Sequence, residues 1–144
     1  ITTLHPRDTR MDLSHIDQGL KAQEKIVVAN EHTAPHVGSG EVPVLATPVL
    51  INLFEAASLA AVEDLLPNGY QTVGTRLDVR HFAATPVGMG AEAQAQLVVV
   101  EGRTLHFRLN ASDDREIIGD GWHERIIIKL GRFDQRMADK LAGK

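Results

Sequence analysis

One acidic residue, Glu55, lies near the middle of the most apolar stretch of the chain, Val42 to Val62, and is the only charged residue there. If this stretch is a helix, no charged side chain shares its face at the neighbouring turns. Desolvation raises the pKa of a buried carboxyl toward the range useful for proton transfer, so Glu55 is a candidate base or nucleophile. The structural alternative is that Glu55 has no chemical role and only belongs to the polar face of an amphipathic helix, beside Asn52 and Ser58.

A second candidate, His81, lies in a stretch of alternating residues and continues the phase of Leu77 and Val79. This phase predicts that the imidazole faces the interior. A single inward histidine is more often a hydrogen-bonded core residue than a catalyst. The presence of Glu55 on the helix favours catalysis, because a carboxylate and an imidazole can share proton-transfer work across a helix–sheet contact. We therefore expect Glu55 and His81 to meet in one cavity.

Thr47 is the third candidate, because the pair Thr47-Pro48 is typical of a helix start. The pattern predicts Thr47 at the N-cap and Pro48 at the first helical position. Free backbone N–H groups at a helix start favour developing negative charge, so the Thr47 hydroxyl would lie in a region suited to an oxyanion. Simple capping is the structural alternative.

Other polar residues are weaker candidates for a metal, cofactor or ligand site. His32 and His36 are four residues apart, but Pro35 between them breaks the helix that a metal pair would need, so we expect no metal site. The glycine pairs do not extend to a dinucleotide or phosphate-loop motif, and we expect no cofactor. Four arginines occupy outward strand positions, which usually form a solvated surface and can also hold a phosphorylated ligand: Arg76, Arg80, Arg103 and Arg108.

Composition limits the class of protein. A chain of 144 residues suits one domain, and its net charge of -4 argues against nucleic acid or an anionic membrane as a partner. The absence of cysteine excludes disulfides and a thiol nucleophile, and suits a cytoplasmic protein. The polar start of the chain lacks the apolar segment of a secretory signal. Glu55, Asn52 and Pro48 make a buried helix a better interpretation of the apolar run than a membrane span.

Periodicity and turn signals predict an irregular segment over 1–19, one domain over 20–135 and a helical tail over 136–144. Within the domain we expect a strand, a long loop, one apolar helix and four more strands. The single helix must bury its apolar surface against a curved antiparallel sheet, which predicts an α+β fold. The predicted elements are strands at Lys21–Asn30, Gln71–Ala84, Gly90–Val100, Thr104–Ala111 and Glu116–Leu130, a helix from Thr47 to about Leu66, and a short helix at 131–142.

Three motifs, LATPVLINLFEAA, VGTRLDVRHFAATPVG and GDGWHERIIIKL, resemble the fluoroacetyl-CoA thioesterase branch of the hot-dog thioesterases. The similarity spans roughly residues 20 to 135. It implies a hot-dog fold, in which a long central helix is wrapped by a curved antiparallel sheet of about five strands. By this resemblance Thr47, Glu55 and His81 match catalytic residues, and Gly74 matches a glycine whose N–H lies near the thioester carbonyl. His123 and Arg125 match a segment near the site that contacts substrate.

The resemblance implies hydrolysis of an acyl-CoA by a homodimer, with sites at the subunit boundary. The family enzyme carries an aromatic lid residue shortly before its catalytic threonine, whereas residues 31–46 contain no aromatic residue. We therefore expect a thioesterase for short acyl groups rather than one dedicated to fluoroacetyl-CoA. Two alternatives are a hot-dog enoyl-CoA hydratase or dehydratase, and a non-catalytic acyl-CoA-binding module.

Overall fold

A five-stranded antiparallel sheet curves around one long helix in the computed structural model, which describes residue 16 and residues 18–144. The elements in chain order are β1 (Lys21–Val27), α1 (Ala34–Val37), α2 (Thr47–Val62), β2 (Tyr70–His81), β3 (Gly90–Glu101), β4 (Thr104–Asp113), β5 (Ile117–Lys129) and α3 (Leu130–Leu141). The strands are ordered β1-β3-β4-β5-β2, so β2 forms one edge of the sheet.

One face of the long helix α2 is fully buried, and the residues of the other face are half-buried or exposed. Leu50, Phe54 and Ala57 are fully buried, and Ser58 satisfies its hydroxyl by donating to the Phe54 carbonyl at 2.9 Å. The sheet meets this face with the small side chains of Ala91, Ala93 and Ala95, which are at most 1% exposed. Small residues allow a helix and a sheet to approach closely.

A bulge in β2 changes which of its residues face α2. Gly74 pairs with Arg125 and Arg76 pairs with Glu124, so Thr75 is an extra residue in the ladder. The Thr75 hydroxyl donates to the Glu124 carbonyl at 3.2 Å, which stabilises the bulge. Uninterrupted alternation with Leu77, Val79 and His81 would place Thr75 on the inner face. That assignment is wrong, because the bulge transfers the inner position to Gly74.

The order and type of the predicted elements are confirmed, with adjustments at their ends. The loop before α2 contains the short helix α1, and α3 begins at Leu130 and continues across the predicted boundary at residue 135. The predicted irregular segment over 1–19 lies almost wholly outside the described residues. Within the described part of the chain, no helix is both long and apolar enough to cross a membrane.

Candidate active site

Thr47 and His81 form a direct contact between α2 and the end of β2. Thr47 Oγ1 lies 2.7 Å from His81 Nδ1, and the ring tautomer decides which of the two atoms donates. The helix cap is Ala46, and Thr47 makes no side-chain capping bond. The prediction of Thr47 as the N-cap is therefore wrong, and its hydroxyl contacts the His81 imidazole instead of a backbone N–H.

The second ring nitrogen of His81 is buried without a partner. His81 Nε2 has no hydrogen-bond partner among the described residues. Burial lowers the pKa of His81, while the nearby Ala83 backbone acts in the opposite direction. The imidazole is therefore held mainly neutral near pH 7, which is the form that can accept a proton.

A second group of side chains surrounds Glu55 in the middle of α2. Glu55 Oε2 lies 3.5 Å from Arg125 Nη1, and the Glu55 side chain is 40% exposed. Glu55 is therefore not the unpaired, desolvated carboxylate that the sequence suggested, because Arg125 on β5 provides a cation beside it. A Cβ added at Gly74 would lie 2.9 Å from Glu55 Oε2, so the carboxylate lies close against bare backbone.

Arg125 is anchored by a network that leaves little freedom to its guanidinium. Its Nε donates to Thr72 Oγ1 at 2.9 Å, and its Nη2 donates to the Thr72 carbonyl at 3.2 Å. Arg125 is 7% exposed, and burial lowers its pKa while Glu55 partly offsets the shift. Arginine stays charged in proteins, so the buried cation provides a permanent counter-ion for Glu55.

The same network determines the tautomer of His123. Arg125 Nη1 lies 3.1 Å from His123 Nε2 and can only donate, so Nε2 must be the acceptor. His123 Nδ1 lies 2.8 Å from the Arg76 carbonyl, which can only accept, so Nδ1 carries the proton. Burial, opposed by the Arg76 carbonyl, lowers the pKa of His123. Both ring nitrogens of His123 are therefore occupied within the network, and Nε2 contacts the Arg125 guanidinium.

Within one protomer the two groups are separate. Thr47 and Glu55 are eight residues apart on α2, or about 12 Å at the rise of an α-helix. Gly74 and His81 are seven residues apart on β2, or about 20 Å along a strand with one bulge. The prediction that Glu55 and His81 meet in one cavity is therefore wrong for a single protomer. The six predicted residues form two groups, namely Thr47 with His81, and Glu55 with Gly74, His123 and Arg125.

A cavity of about 330 Å³ opens beside Thr47 and His81. Its other walls are the end of the loop before α2 and the residues after β2, most of which are small or apolar. They include Val42, Val44, Leu45, Ala46, Phe82, Ala83 and Ala84. No group of three or more potential metal-ligating side chains occurs among the described residues.

Thr72 is the one member of the network that the sequence did not suggest. It lies on β2 two residues before Gly74, and it is 7% exposed. A threonine in a strand is common and carries no signal of its own. The contact with Arg125 depends on the pairing of β2 with β5, which only the structure shows.

The comparisons with known proteins point to one family. The family described as "Fluoroacetyl-CoA-specific thioesterase" matches residues 28–130. The fluoroacetyl-CoA thioesterase of Streptantibioticus cattleyicolor is 39% identical over 97 residues, covering 67% of this chain and 70% of that protein.

Two crystal structures extend the similarity to the fold. A mutant of the fluoroacetyl-CoA-specific thioesterase FlK, in complex with fluoroacetate and CoA, is 34% identical, with a TM-score of 0.77 over 82% of this chain and 99% of that chain. A thioesterase superfamily member from Thermus thermophilus is 25% identical, with a TM-score of 0.81 over 90% and 98% of the two chains. The fold is therefore the hot-dog fold. The chain belongs to the fluoroacetyl-CoA-specific thioesterase family.

Proposed function

We propose that this thioesterase hydrolyses short-chain acyl-CoA to the free acid and CoA, in a homodimer whose sites combine residues of both protomers. The observation that carries the proposal is the division of the six candidate residues into two groups, one beside His81 and the other beside Gly74, which both belong to the edge strand β2. Each group by itself lacks a component that thioester hydrolysis needs. Thr47 and His81 lack a carboxylate to act as nucleophile or base, and Glu55 with Arg125 lacks a second proton-transfer group that could protonate the departing CoA sulfur.

The free edge of β2 supports self-association through this strand. Among the described strands β2 pairs with β5 alone, and residues 74–78 are exposed one after another. Leu77, in the middle of the strand, is 39% exposed. An unpaired edge of this kind is a template for another strand, whereas the opposite edge strand β1 carries Lys21 and Lys25, which discourage pairing.

Antiparallel pairing of two β2 strands would unite the two groups. In a two-fold arrangement about Asp78, His81 lies three residues after the axis and Gly74 four residues before it. The bulge at Thr75 absorbs the extra residue, so His81 would lie opposite Gly74 of the partner subunit on the same face. The Thr47–His81 pair of one protomer would then adjoin Glu55 of the partner subunit.

The assembled groups match the steps of thioester hydrolysis. Glu55, oriented by Arg125, attacks the carbonyl carbon or takes a proton from the attacking water. The Gly74 N–H donates to the oxyanion, a contact whose loss costs roughly 100- to 1000-fold in rate. The carbonyl re-forms as the carbon–sulfur bond breaks, and neutral His81, with its pKa lowered by burial, relays one proton to the CoA sulfur. It receives that proton from Glu55 when Glu55 acts as the base, or from the water that hydrolyses the acyl-Glu55 anhydride when Glu55 is the nucleophile. Thr47 orients the imidazole.

The size and lining of the cavity beside His81 favour a short acyl group. Its volume is about 330 Å³, and small or apolar side chains such as those of Ala46, Ala83 and Ala84 form much of its lining beside Thr47. We expect acetyl-, propionyl- and fluoroacetyl-CoA to be better substrates than acyl-CoAs with long chains.

Free-thiol release from a panel of acyl-CoAs tests the reaction. We expect release from the short-chain thioesters, and a loss of about 100-fold or more in kcat for Glu55→Gln and for His81→Ala, with the fold intact. Glu63→Gln, at the end of α2, is the matched control. If wild type and Glu55→Ala gave the same low rate across the panel, the hydrolase proposal would fail. Water addition to crotonyl-CoA without thiol release would identify a hydratase instead.

Mixing two inactive variants tests the shared site. Glu55→Gln and His81→Ala homodimers, mixed and allowed to exchange subunits, should regain about a quarter of wild-type activity, since half of the dimers are mixed and one of their two sites is intact. A site built within one protomer would regain nothing. Leu77→Glu should yield an inactive monomer by light scattering, whereas the control Val99→Glu, at an exposed position of β3, should leave the dimer unchanged.

A further inference from the structure

We propose that a basic cavity at the junction of β5 and α3 binds the phosphorylated nucleotide end of the acyl-CoA, an inference that rests on the proposed function. The cavity has a volume of about 250 Å³, and four cationic side chains line it: Arg103, Lys129, Arg132 and Arg136. No acidic residue lines it, although the chain as a whole has a net charge of -4. The positive charge is therefore local.

The four cations come from three separate parts of the chain. Arg103 lies in the β3–β4 hairpin, and its carbonyl accepts a hydrogen bond from the Ile127 N–H at 2.9 Å, which ties the hairpin to β5. Lys129 ends β5, and Arg132 and Arg136 follow at three and seven residues, on one face of α3. Three of these charges lie close together in the sequence, within residues 129–136, and the fold adds Arg103 to them.

These cations lack the partners that surface cations usually find. None of the four forms an ion pair with a carboxylate of the described residues, whereas Arg80 pairs with Asp120 and Arg125 with Glu55. Like charges held together without counter-ions repel one another, so the cluster favours a ligand with several negative charges. The first turn of α3 carries no acidic residue, so the positive end of the helix dipole adds to this field.

The shape and lining of the cavity suit a nucleotide better than a simple anion. Ile126, Ile128 and Phe133 provide an apolar wall beside the cations. The 3′-phosphate and diphosphate of CoA would contact the cations, and the adenosine would lie against this wall. An aromatic ring with neighbouring arginines is a common way to bind a nucleobase and its phosphates.

The distance from the proposed reaction centre suits a ligand with a long flexible arm. Lys129 pairs with Tyr70 and Arg125 pairs with Gly74, so both sites lie along the same two strands. Lys129 follows Arg125 by four positions on β5, which is about 13 Å along the strand. The cavity is lined by consecutive residues of β5, 126–129, which belong to both faces of the strand, so it lies at the strand end, and the pantetheine arm of CoA would reach from there toward Arg125.

Comparison of two substrates separates this site from the reaction itself. The variant Arg132→Gln/Arg136→Gln should raise the KM for acetyl-CoA by about ten-fold, the factor that corresponds to a modest loss of binding free energy, while kcat changes little. S-acetyl-pantetheine, which lacks the nucleotide, should be hydrolysed equally well by both proteins. Rising salt should raise the KM for acetyl-CoA more in wild type than in the variant.

The matched control also removes two positive charges, at positions far from the cavity. In Lys21→Gln/Arg115→Gln the changes are on β1 and in the β4–β5 turn, and both KM values should stay unchanged. An unchanged KM for acetyl-CoA in the Arg132/Arg136 variant would overturn the nucleotide site while leaving the hydrolase proposal standing. Absence of thiol release from both substrates in wild type would overturn the hydrolase proposal instead.

Discussion

Adding one methyl group at Gly74 provides a direct test of the carboxylate geometry. In Gly74→Ala the new Cβ would lie 2.9 Å from Glu55 Oε2, 3.1 Å from His123 Cε1 and 3.4 Å from Arg125 Nη1. Ordinary contacts to a methyl carbon are near 3.5 to 4 Å, so the carboxylate must move by about 0.5 to 1 Å. The Gly74 N–H itself remains in place.

The substitution should affect activity far more than stability. The nearest atom is the end of a flexible, 40% exposed side chain, which can swing away at little cost in folding free energy. Alanine is favoured over glycine in a strand by roughly 0.5–1 kcal/mol, which offsets part of that cost. A displacement of about 1 Å of a reacting group can cost about 100-fold in rate. We therefore expect kcat to fall by about 100-fold while the melting temperature changes by only a few degrees.

Thiol release with acetyl-CoA and thermal unfolding followed by circular dichroism measure the two effects. Gly131→Ala is the matched control, because nothing lies within 4 Å of a Cβ added there. The control should keep full activity. If Gly74→Ala kept wild-type kcat, the position of the Glu55 carboxylate against Gly74 would not matter for the reaction. A large loss of stability would show instead that the glycine has a structural role.

Three further outcomes follow from the contacts of the site. Thr47→Ala should lower kcat and Thr47→Ser should restore most of it, because the hydroxyl contacts His81 Nδ1; equal rates for the two variants would contradict this. Thr72→Val should cost about 1–3 kcal/mol in unfolding free energy and also lower kcat, because it leaves the buried Arg125 Nε unpaired, and Thr72→Ser should restore both. Burial lowers the pKa of His123, so below about pH 6.5 the unfolded chain binds a proton that the folded protein does not, and stability falls as pH decreases toward the folded-state pKa. Urea unfolding between pH 7.5 and 5 should show this slope in wild type and a smaller one in His123→Gln, and equal slopes would count against it.

The sequence was enough to place the helix, the strands and most of the candidate residues. The apolar run after Thr47-Pro48 and the alternation in β3 report burial directly, because a helix and a strand each repeat their buried positions at a constant spacing. The long helix was predicted for this reason, and the alternate alanines of β3 follow the same rule. The motifs around Glu55, His81 and Arg125 also sufficed to suggest the thioesterase family.

Only the tertiary structure decided how those residues are grouped. The bulge at Thr75 reverses the alternation of β2, and local sequence gives no sign of one extra residue in a ladder with β5. The partners of Thr47 and Glu55 come from other elements, so the hydroxyl contacts His81 rather than capping its helix, and the carboxylate meets Arg125. Periodicity shows which side a residue faces, but the residue that lies opposite is determined by strand pairing and by the packing of α2 across the sheet.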